Sequence, residues 1–404
     1  MSNKKKAPVV PKLRFPDFRM ADGWAVPKLG SIGAFTGGGT PSKEKAAYWA
    51  GANPWVSSSD ISEDGIQDIF ISRYISDEAI QATATKVVPA NSILLVSRVG
   101  VGKLAISRAP ICTSQDFTNF TPTKDDLVFL AYCIKSLKAK LLAFNQGMAI
   151  KGFTKDDVSN LGIPLPKLNE QQKIADCLSS LDELIAAQAR KVDALKTHKK
   201  GLMQQLFPRE GETQPRLRFP EFRDAGEWRS KKLGKVAENL DNRRVPITSS
   251  NREAGDVPYY GASGIVDYVQ GFIFDEDLLC ISEDGANLVA RTYPIAFSIT
   301  GKTWVNNHAH VLRFEQACTQ KFVEVFLNSI KLDDFITGMA QPKLNKAMLD
   351  SIPIPYPGVH EQQHIADCLT SLDDLITFQT QALETLKTHK KGLMQQLFPY
   401  LTED

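Results

Sequence analysis

The chain has 404 residues, 43% hydrophobic and 23% charged, with 48 Lys+Arg against 46 Asp+Glu and a formal net charge of +2. At ~150 residues per domain this is a globular chain of two to three domains, and the balance excludes a polycation that binds nucleic acid through bulk charge alone. No apolar run approaches the ~20 residues that span a bilayer, the basic start Met1-Ser-Asn-Lys-Lys-Lys lacks the apolar core of a secretion signal, and six scattered cysteines without a C-x-x-C point to a reduced, cytoplasmic setting without structural zinc.

In chain order, a lead-in Pro11-Lys-Leu-Arg-Phe-Pro-Asp-Phe-Arg19 precedes a first body at roughly 31–146. That body mixes strand runs such as Ser92-Ile-Leu-Leu-Val-Ser with helical spacing over Leu127 to Phe144. A Pro-rich exit, Ile163-Pro-Leu-Pro, leads to a long helix whose start is read at Asn169 with Gln172, a capping-box pattern, and whose end is set by Pro208. The same order then recurs. Pro215-Arg-Leu-Arg-Phe-Pro-Glu-Phe-Arg223 is followed by a body at roughly 235–337, with a strand run at Ala309-His-Val-Leu-Arg-Phe and helical spacing over Lys321 to Phe335. Ile354-Pro-Tyr-Pro then leads to a helix that ends at Pro399, in which His360 replaces the cap residue.

Glu170 to Pro208 and Glu361 to Pro399 share 28 of 39 residues at an offset of 191, and Gly147-Met-Ala recurs as Gly338-Met-Ala. The lead-ins repeat at an offset of 204, as do Trp24 and Trp228. The bodies show no convincing similarity, so one scaffold carries two different heads. In the helices, Ile174, Leu181, Gln188, Leu195 and Leu202 interleave with Leu178, Ile185, Val192, Lys199 and Leu206, and the same 4-3 pattern recurs from Ile365 to Leu397, as a coiled-coil seam requires. Antiparallel pairing would let Gln188 and Gln379 face each other and fix register. Each helix is ~55 Å long at 1.5 Å per residue.

Catalytic patterns are missing. Gly301-Lys-Thr lacks the upstream glycine of a phosphate-binding loop, which is Ala296 here; Asn53-Pro-Trp has one proline where an amino-methyltransferase loop needs two; no acid-x-Lys triplet occurs. His308-x-His310 has no evident third metal ligand, so no metal is expected. Base and phosphate readers are present in two clusters. The first body offers Thr40, Ser42 and Lys43 in a flexible Gly-rich loop, then Trp49, Ser58, Ser59, Arg98, Lys103, Gln115 and Lys151. The second offers Arg243, Arg244, Tyr260, Ser263, Asn287, Arg291, Lys302, Trp304, Asn306, Asn307 and His308.

The paired E-Q-Q-x-I-A…K-K-G-L-M-Q-Q-L-F helices, the I-P-x-P exits, and the phrases Gly38-Gly-Thr-Pro-Ser, Pro54-Trp-Val and Pro258-Tyr-Tyr-Gly-Ala-Ser-Gly resemble the specificity subunit of type I restriction–modification systems, from about Leu13 to Phe398. The resemblance implies an α+β chain: two globular target-recognition domains separated by two long antiparallel coiled-coil helices in a pseudo-twofold repeat. The domains fall at 1–168 and 209–359 and the spacer helices at 169–208 and 360–404. It further implies a non-catalytic subunit that reads a bipartite site on double-stranded DNA over roughly 16 base pairs. Two methyltransferase subunits that use S-adenosylmethionine dock on it, and restriction–translocase subunits that use ATP and magnesium join them. Met203, Phe207, Met394 and Phe398, alike in both helices, are the candidate docking residues. The alternatives are a coiled-coil scaffold without DNA readout and a fragment of a fused restriction–methylation enzyme.

Overall fold

The computed structural model describes residues 9–144, 152–209, 211–338 and 341–400. The chain divides into two compact units, residues 1–189 with 382–404, and residues 190–381. The division falls within the long helices, so each unit owns the first part of one and the last part of the other.

The first unit contains β1 (Gly33–Gly37), β2 (Asn53–Val56), β3 (Arg73–Ile75), α1 (Asp77–Ala82), β4 (Val87–Val88), β5 (Ser92–Leu95), β6 (Leu104–Ser107), β7 (Ile111–Thr113), β8 (Thr118–Pro122), α2 (Leu127–Ser136), α3 (Lys138–Ala143) and α4 (Lys155–Ser159), followed by the start of α5 (Leu168–Leu206). The second contains β9 (Arg229–Lys232), β10 (Glu238–Asn239), β11 (Ala254–Gly261), β12 (Gly264–Val269), β13 (Phe274–Asp275), β14 (Leu278–Ser282), α6 (Asn287–Ala290), β15 (Ala296–Ile299), β16 (Lys302–Val305), β17 (Ala309–Arg313), α7 (Ala317–Ser329), α8 (Lys346–Ser351) and β18 (Pro353–Tyr356), followed by the start of α9 (Val359–Leu397).

The bodies look unlike in sequence, yet they have one topology. The first unit has sheets β1-β8-β5-β6 and β3-β2-β7-β4; the second has β10-β17-β14-β15 and β12-β11-β16-β13. In each unit the second sheet is antiparallel except for one central parallel pair, β2 with β7 and β11 with β16. The strand runs read at Ser92 and Ala309 are the central strands β5 and β17, and β5 is buried on both faces. The helical run from Leu127 breaks at Leu137 into α2 and α3, and the run from Lys321 ends at Ser329 in α7.

The repeated flanks build the frame around these bodies. Arg14 donates from Nε and Nη2 to the two carboxylate oxygens of Glu170 at 2.8 Å each. Its remaining donors cap the carbonyls of Ala21 and Asp22. Arg218 repeats the fork on Glu361 at 2.7 and 2.8 Å and caps Ala225 and Gly226. In both pairs the arginine side chain is 8% exposed and the glutamate 3%. The carboxylate hydrogen bonds hold both guanidiniums above their ordinary pKa. The next residue of each E-Q-Q motif turns back: Gln171 donates to the Pro166 carbonyl and Gln362 to that of Pro357, both at 2.9 Å.

This corrects the cap expected at Asn169. The helix begins at Leu168, Asn169 lies inside its first turn, and buried Gln171 holds the incoming chain instead. Each lead-in also binds the end of a helix, Leu13 N–H to the Gln396 carbonyl and Leu217 N–H to that of Gln205.

Within each unit the two helix segments run antiparallel. In the first, Lys390 pairs with Asp182, while Leu397 and Phe398 join the core containing Ile174 and Leu178. In the second, Lys199 Nζ pairs with Asp373 at 2.5 Å, and Leu206 and Phe207 share a core with Ile365 and Leu369. The lysines of the seam are thus ion-paired rather than stranded. No helix among the described residues is long and apolar enough to cross a membrane.

Losing one partner of a buried ion pair leaves the other charge desolvated and unpaired, which is strongly destabilising. Glu361→Gln should lower stability by about 3 kcal/mol, read as a shift of the urea midpoint of the full chain, with Lys387→Gln on an exposed stretch of α9 as the neutral control.

Candidate nucleic-acid interface

Parallel strands end on the same edge of a sheet, so the segments after β2 and β7 are neighbours: Ser114 N–H donates to the Val56 carbonyl at 2.9 Å. Two further segments are drawn to them. The segment after β1 is tied by Gly39 N–H to the Thr113 carbonyl (2.8 Å), by Trp55 Nε1–H to the Gly39 carbonyl (2.9 Å), and by Thr40 Oγ1 to Gln115 Oε1 (2.5 Å). The segment after β5 is tied by Ser97 and Arg98 N–H groups, which share the Asp116 carbonyl at 2.7 and 3.2 Å.

The second unit assembles the same four segments. At the end of β11, the Tyr260 carbonyl accepts from Asn306 N–H at 3.0 Å; after β14, Glu283 N–H donates to the His308 carbonyl at 2.9 Å. After β10, Arg244 Nη1 donates to the carbonyls of Asn307 and Ala309 at 3.4 and 2.8 Å.

Several residues singled out in the sequence are outward-facing here. Ser42, Lys43, Ser59, Arg98 and Gln115 are exposed in the first unit, and Arg243, Ser263, Lys302, Asn307 and His308 in the second. Trp49 is half-buried and donates to the Ser42 carbonyl at 3.0 Å; Lys103 is half-buried and 3.6 Å from Glu63. Tyr260 stacks on Phe297, Trp304 donates to the Val245 carbonyl at 2.7 Å, and Lys302 lies over the Phe272 ring. Arg243 sits over Phe274 and pairs with Glu276, while Ser263 donates to the Tyr293 hydroxyl. Lys151 lies outside the described residues.

Other assignments need correction. The Gly-rich loop is packed, not free: a Cβ on Gly38 would lie 1.9 Å from the Ser114 carbonyl oxygen and one on Gly39 2.6 Å from Thr85 N. Ser58 is buried. Asn287 is buried, bonding Thr292 and the Tyr293 carbonyl, and Asn306 is buried, capping His308 N–H. Arg291, at φ 52°, spends Nε and Nη1 on the Leu288 and Leu327 carbonyls, and its Nη2 is buried. These four side chains shape the loops from inside. Phe207 packs on Phe322 and Phe326, and Phe398 on Phe129, so both are core residues rather than a docking face. Met203 and Met394 are half-buried. Gln188 is half-buried in the first unit and Gln379 buried in the second.

Arg244 belongs to a buried charge network. His310 Nδ1 meets Asp241 at 2.6 Å and Nε2 meets the Leu344 carbonyl at 2.7 Å; Arg244 meets Glu283 at 2.7 Å and Asp241 at 3.5 Å. Burial alone would raise both carboxyls. Together, the bonds and charges of His310, Val311 N–H and Asn239 outweigh it at Asp241, and those of Arg244, His310 and Lys343 at Glu283, leaving both below their ordinary pKa. Asp241, Glu283 and His310 are close enough to hold a metal ion, but Arg244 and Lys343 already neutralise the carboxylates. His308 turns to Asp284 instead, so the His308-x-His310 pair does not converge.

The first unit also has a groove of about 1310 Å³, walled by Tyr132, Lys135, Asp182, Lys390 and Met394. Lys135 Nζ crosses to the carbonyls of Glu63, Asp64 and Gly65, and burial brings its amine down to about 8. Two residues that sequence reasoning passed over, Arg73 and Arg252, lie over the rings of Trp55 and Tyr259. Strand register reveals Arg73, and only the folded chain brings Arg252 to its ring.

One frame repeated around two bodies of common topology and unlike loops defines a class of duplicated two-domain proteins. A family model described as "Type I restriction modification DNA specificity domain" matches residues 21–197 and again 225–388. A putative type I restriction enzyme specificity subunit of Haemophilus influenzae is 38% identical over 149 residues, 37% of this chain and 38% of that protein. A specificity subunit of Methanocaldococcus jannaschii is 25% identical over 409 residues, 94% of this chain and 93% of its own. The first three relatives are matched over only 38–40% of their length. The crystal structure of a type I system S subunit from M. genitalium shares the fold, with a TM-score of 0.61 at 18% identity over 97% of this chain and 100% of that one. The chain belongs to the type I restriction–modification DNA specificity family.

Arg244→Met should destabilise the second unit by about 3 kcal/mol by stranding Asp241 and Glu283. Arg98→Ala should leave stability within about 0.5 kcal/mol of the parent, as an exposed side chain allows. Urea unfolding of the two variants side by side checks both values.

Proposed function

We propose that each unit reads one half of a bipartite sequence on double-stranded DNA and that the chain itself does no chemistry. The observation that carries this reading is the recurrence of four loop segments at the same topological places in both units, with different side chains in each. A shared frame with unlike loops suits two readers of unlike half-sites. The long helices set the distance between half-sites, with Gln188 and Gln379 holding their register. Two methyltransferase subunits, supplying S-adenosylmethionine chemistry, dock on the chain with Met203 and Met394 in the docking faces. Restriction–translocase subunits bring ATP and magnesium, and the complex works in the cytoplasm.

The exposed loop cations Lys43 and Arg98, and Lys302 at the start of β16, meet phosphates, while Gln115, Asn307 and His308 reach base edges. Phosphate contacts release counterions and set the salt dependence of binding, whereas base contacts set sequence preference. Arg98→Ala in the assembled complex should therefore weaken binding to all duplexes alike. It should also reduce the slope of log K against log salt by about 1. Gln115→Ala should leave that slope unchanged and relax the preference at one position. Filter binding across a salt series separates the two. An Arg98→Ala complex with an unchanged slope contradicts the phosphate assignment.

A further inference from the structure

The register of β2 and β3 sets Arg73 opposite Trp55, at the edge where the first unit's reading segments meet. The Arg73 guanidinium lies 4.6 Å from the centroid of the Trp55 ring. That ring is itself fixed, by its hydrogen bond to the Gly39 carbonyl and by edge contact with Trp49 at 5.0 Å. One nitrogen of Arg73, Nη2, donates to Ser57 Oγ at 2.7 Å and pairs with Asp60. Asp60 is anchored in turn by Ser57 N–H at 2.7 Å. Nε and Nη1 make no hydrogen bond among the described residues, and neither is among the buried side-chain atoms left without a partner. Three of the five guanidinium hydrogens therefore remain for a ligand.

The second unit builds the same trio from other positions. Tyr259 holds the place of Trp55 on the parallel pair, and its register partner on β12 is Asp267 where the first unit has Arg73. The guanidinium comes from Arg252, 4.5 Å from the Tyr259 ring, and pairs with Asp267 at 3.1 Å. There Nε is also spent, on the Ile247 carbonyl, so the three hydrogens that Arg252 keeps lie on Nη1 and Nη2, whereas those of Arg73 lie on Nε and Nη1. Stacking plus a carboxylate clamp removes most of an arginine's rotational freedom, so that little entropy is lost when its free donors meet a partner.

We propose, resting on the reading of the first unit as a half-site reader, that Arg73 is a specificity-determining residue that selects guanine. A group that only donates suits guanine, whose major-groove edge offers O6 and N7, both acceptors; adenine sets an amino group beside its N7 and repels the same donor.

The test uses the full chain co-expressed with its methyltransferase subunits, with methylated adenines mapped by long-read sequencing. The wild type should give a motif with guanine at one position of one half-site. Arg73→Ala should open that position to other bases and leave the other half-site and the gap intact. Because a substitution can disturb folding, a second arm leaves the protein unchanged. A duplex with 7-deazaguanine at that position should bind the wild-type complex roughly 10-fold more weakly, the loss of one charge-assisted hydrogen bond, and should bind the Arg73→Ala complex no more weakly than natural DNA does. An unchanged motif in the variant, or a wild type indifferent to 7-deazaguanine, overturns the assignment. A wild type with no two-part motif overturns the underlying reading as well, and does so before any variant is made.

Discussion

A buried carboxylate in the first turn of each long helix is the constraint on which the structure depends. Glu170 and Glu361 are almost wholly out of water, and a lone charge there would be untenable. Each is matched by a forked arginine of the lead-in, Arg14 or Arg218, and that arginine also caps two carbonyls of its own lead-in. The pair therefore closes a loop of chain onto a helix start. The same lead-in bonds to the last turn of a helix through Leu13 or Leu217. Each unit is thus framed by one helix start, one helix end and the strip of chain that clasps both.

That frame explains why sequence identity concentrates where it does. The Glu-Gln-Gln start holds the arginine fork and the turn back to proline, and the Gly-Leu-Met-Gln-Gln-Leu-Phe end supplies a phenylalanine to each core. Lys199 and Lys390 sit at seam positions because an aspartate of the facing segment meets each of them. The bodies obey a looser rule. They need buried alternation, one parallel strand pair and turns of the right length, and many sequences meet those needs. The loops at the open edge are then free to differ, which is what a pair of different readers requires.

Much of this was legible in the sequence. The duplication, the helix lengths, the central strands at Ser92 and Ala309, and the exposure of Arg98, Gln115 and Asn307 in connecting segments all follow from spacing and residue chemistry. What was hidden depends on contacts between residues far apart in the chain. Asn169 resembles a cap, but Gln171 is the residue that the folded chain buries there. Gly38 and Gly39 look like a flexible loop, yet they are glycine because backbone passes too close for a Cβ. Arg244 and Arg291 look like DNA-binding cations, and buried acids or carbonyls claim them first. Arg73 lies in an unremarkable strand, and only its register opposite Trp55 sets it over a ring. The common topology of the two bodies was invisible for the same reason: strand order is a long-range property that short motifs do not record.

The central claim is that two independent readers share one duplicated frame. It is tested most directly by mapping every methylated adenine in cells that express the wild-type chain with its methyltransferase subunits. The account predicts a single asymmetric motif in two parts, separated by a gap of fixed length whose bases are not specified. A contiguous motif, or methylation without any sequence preference, would contradict it.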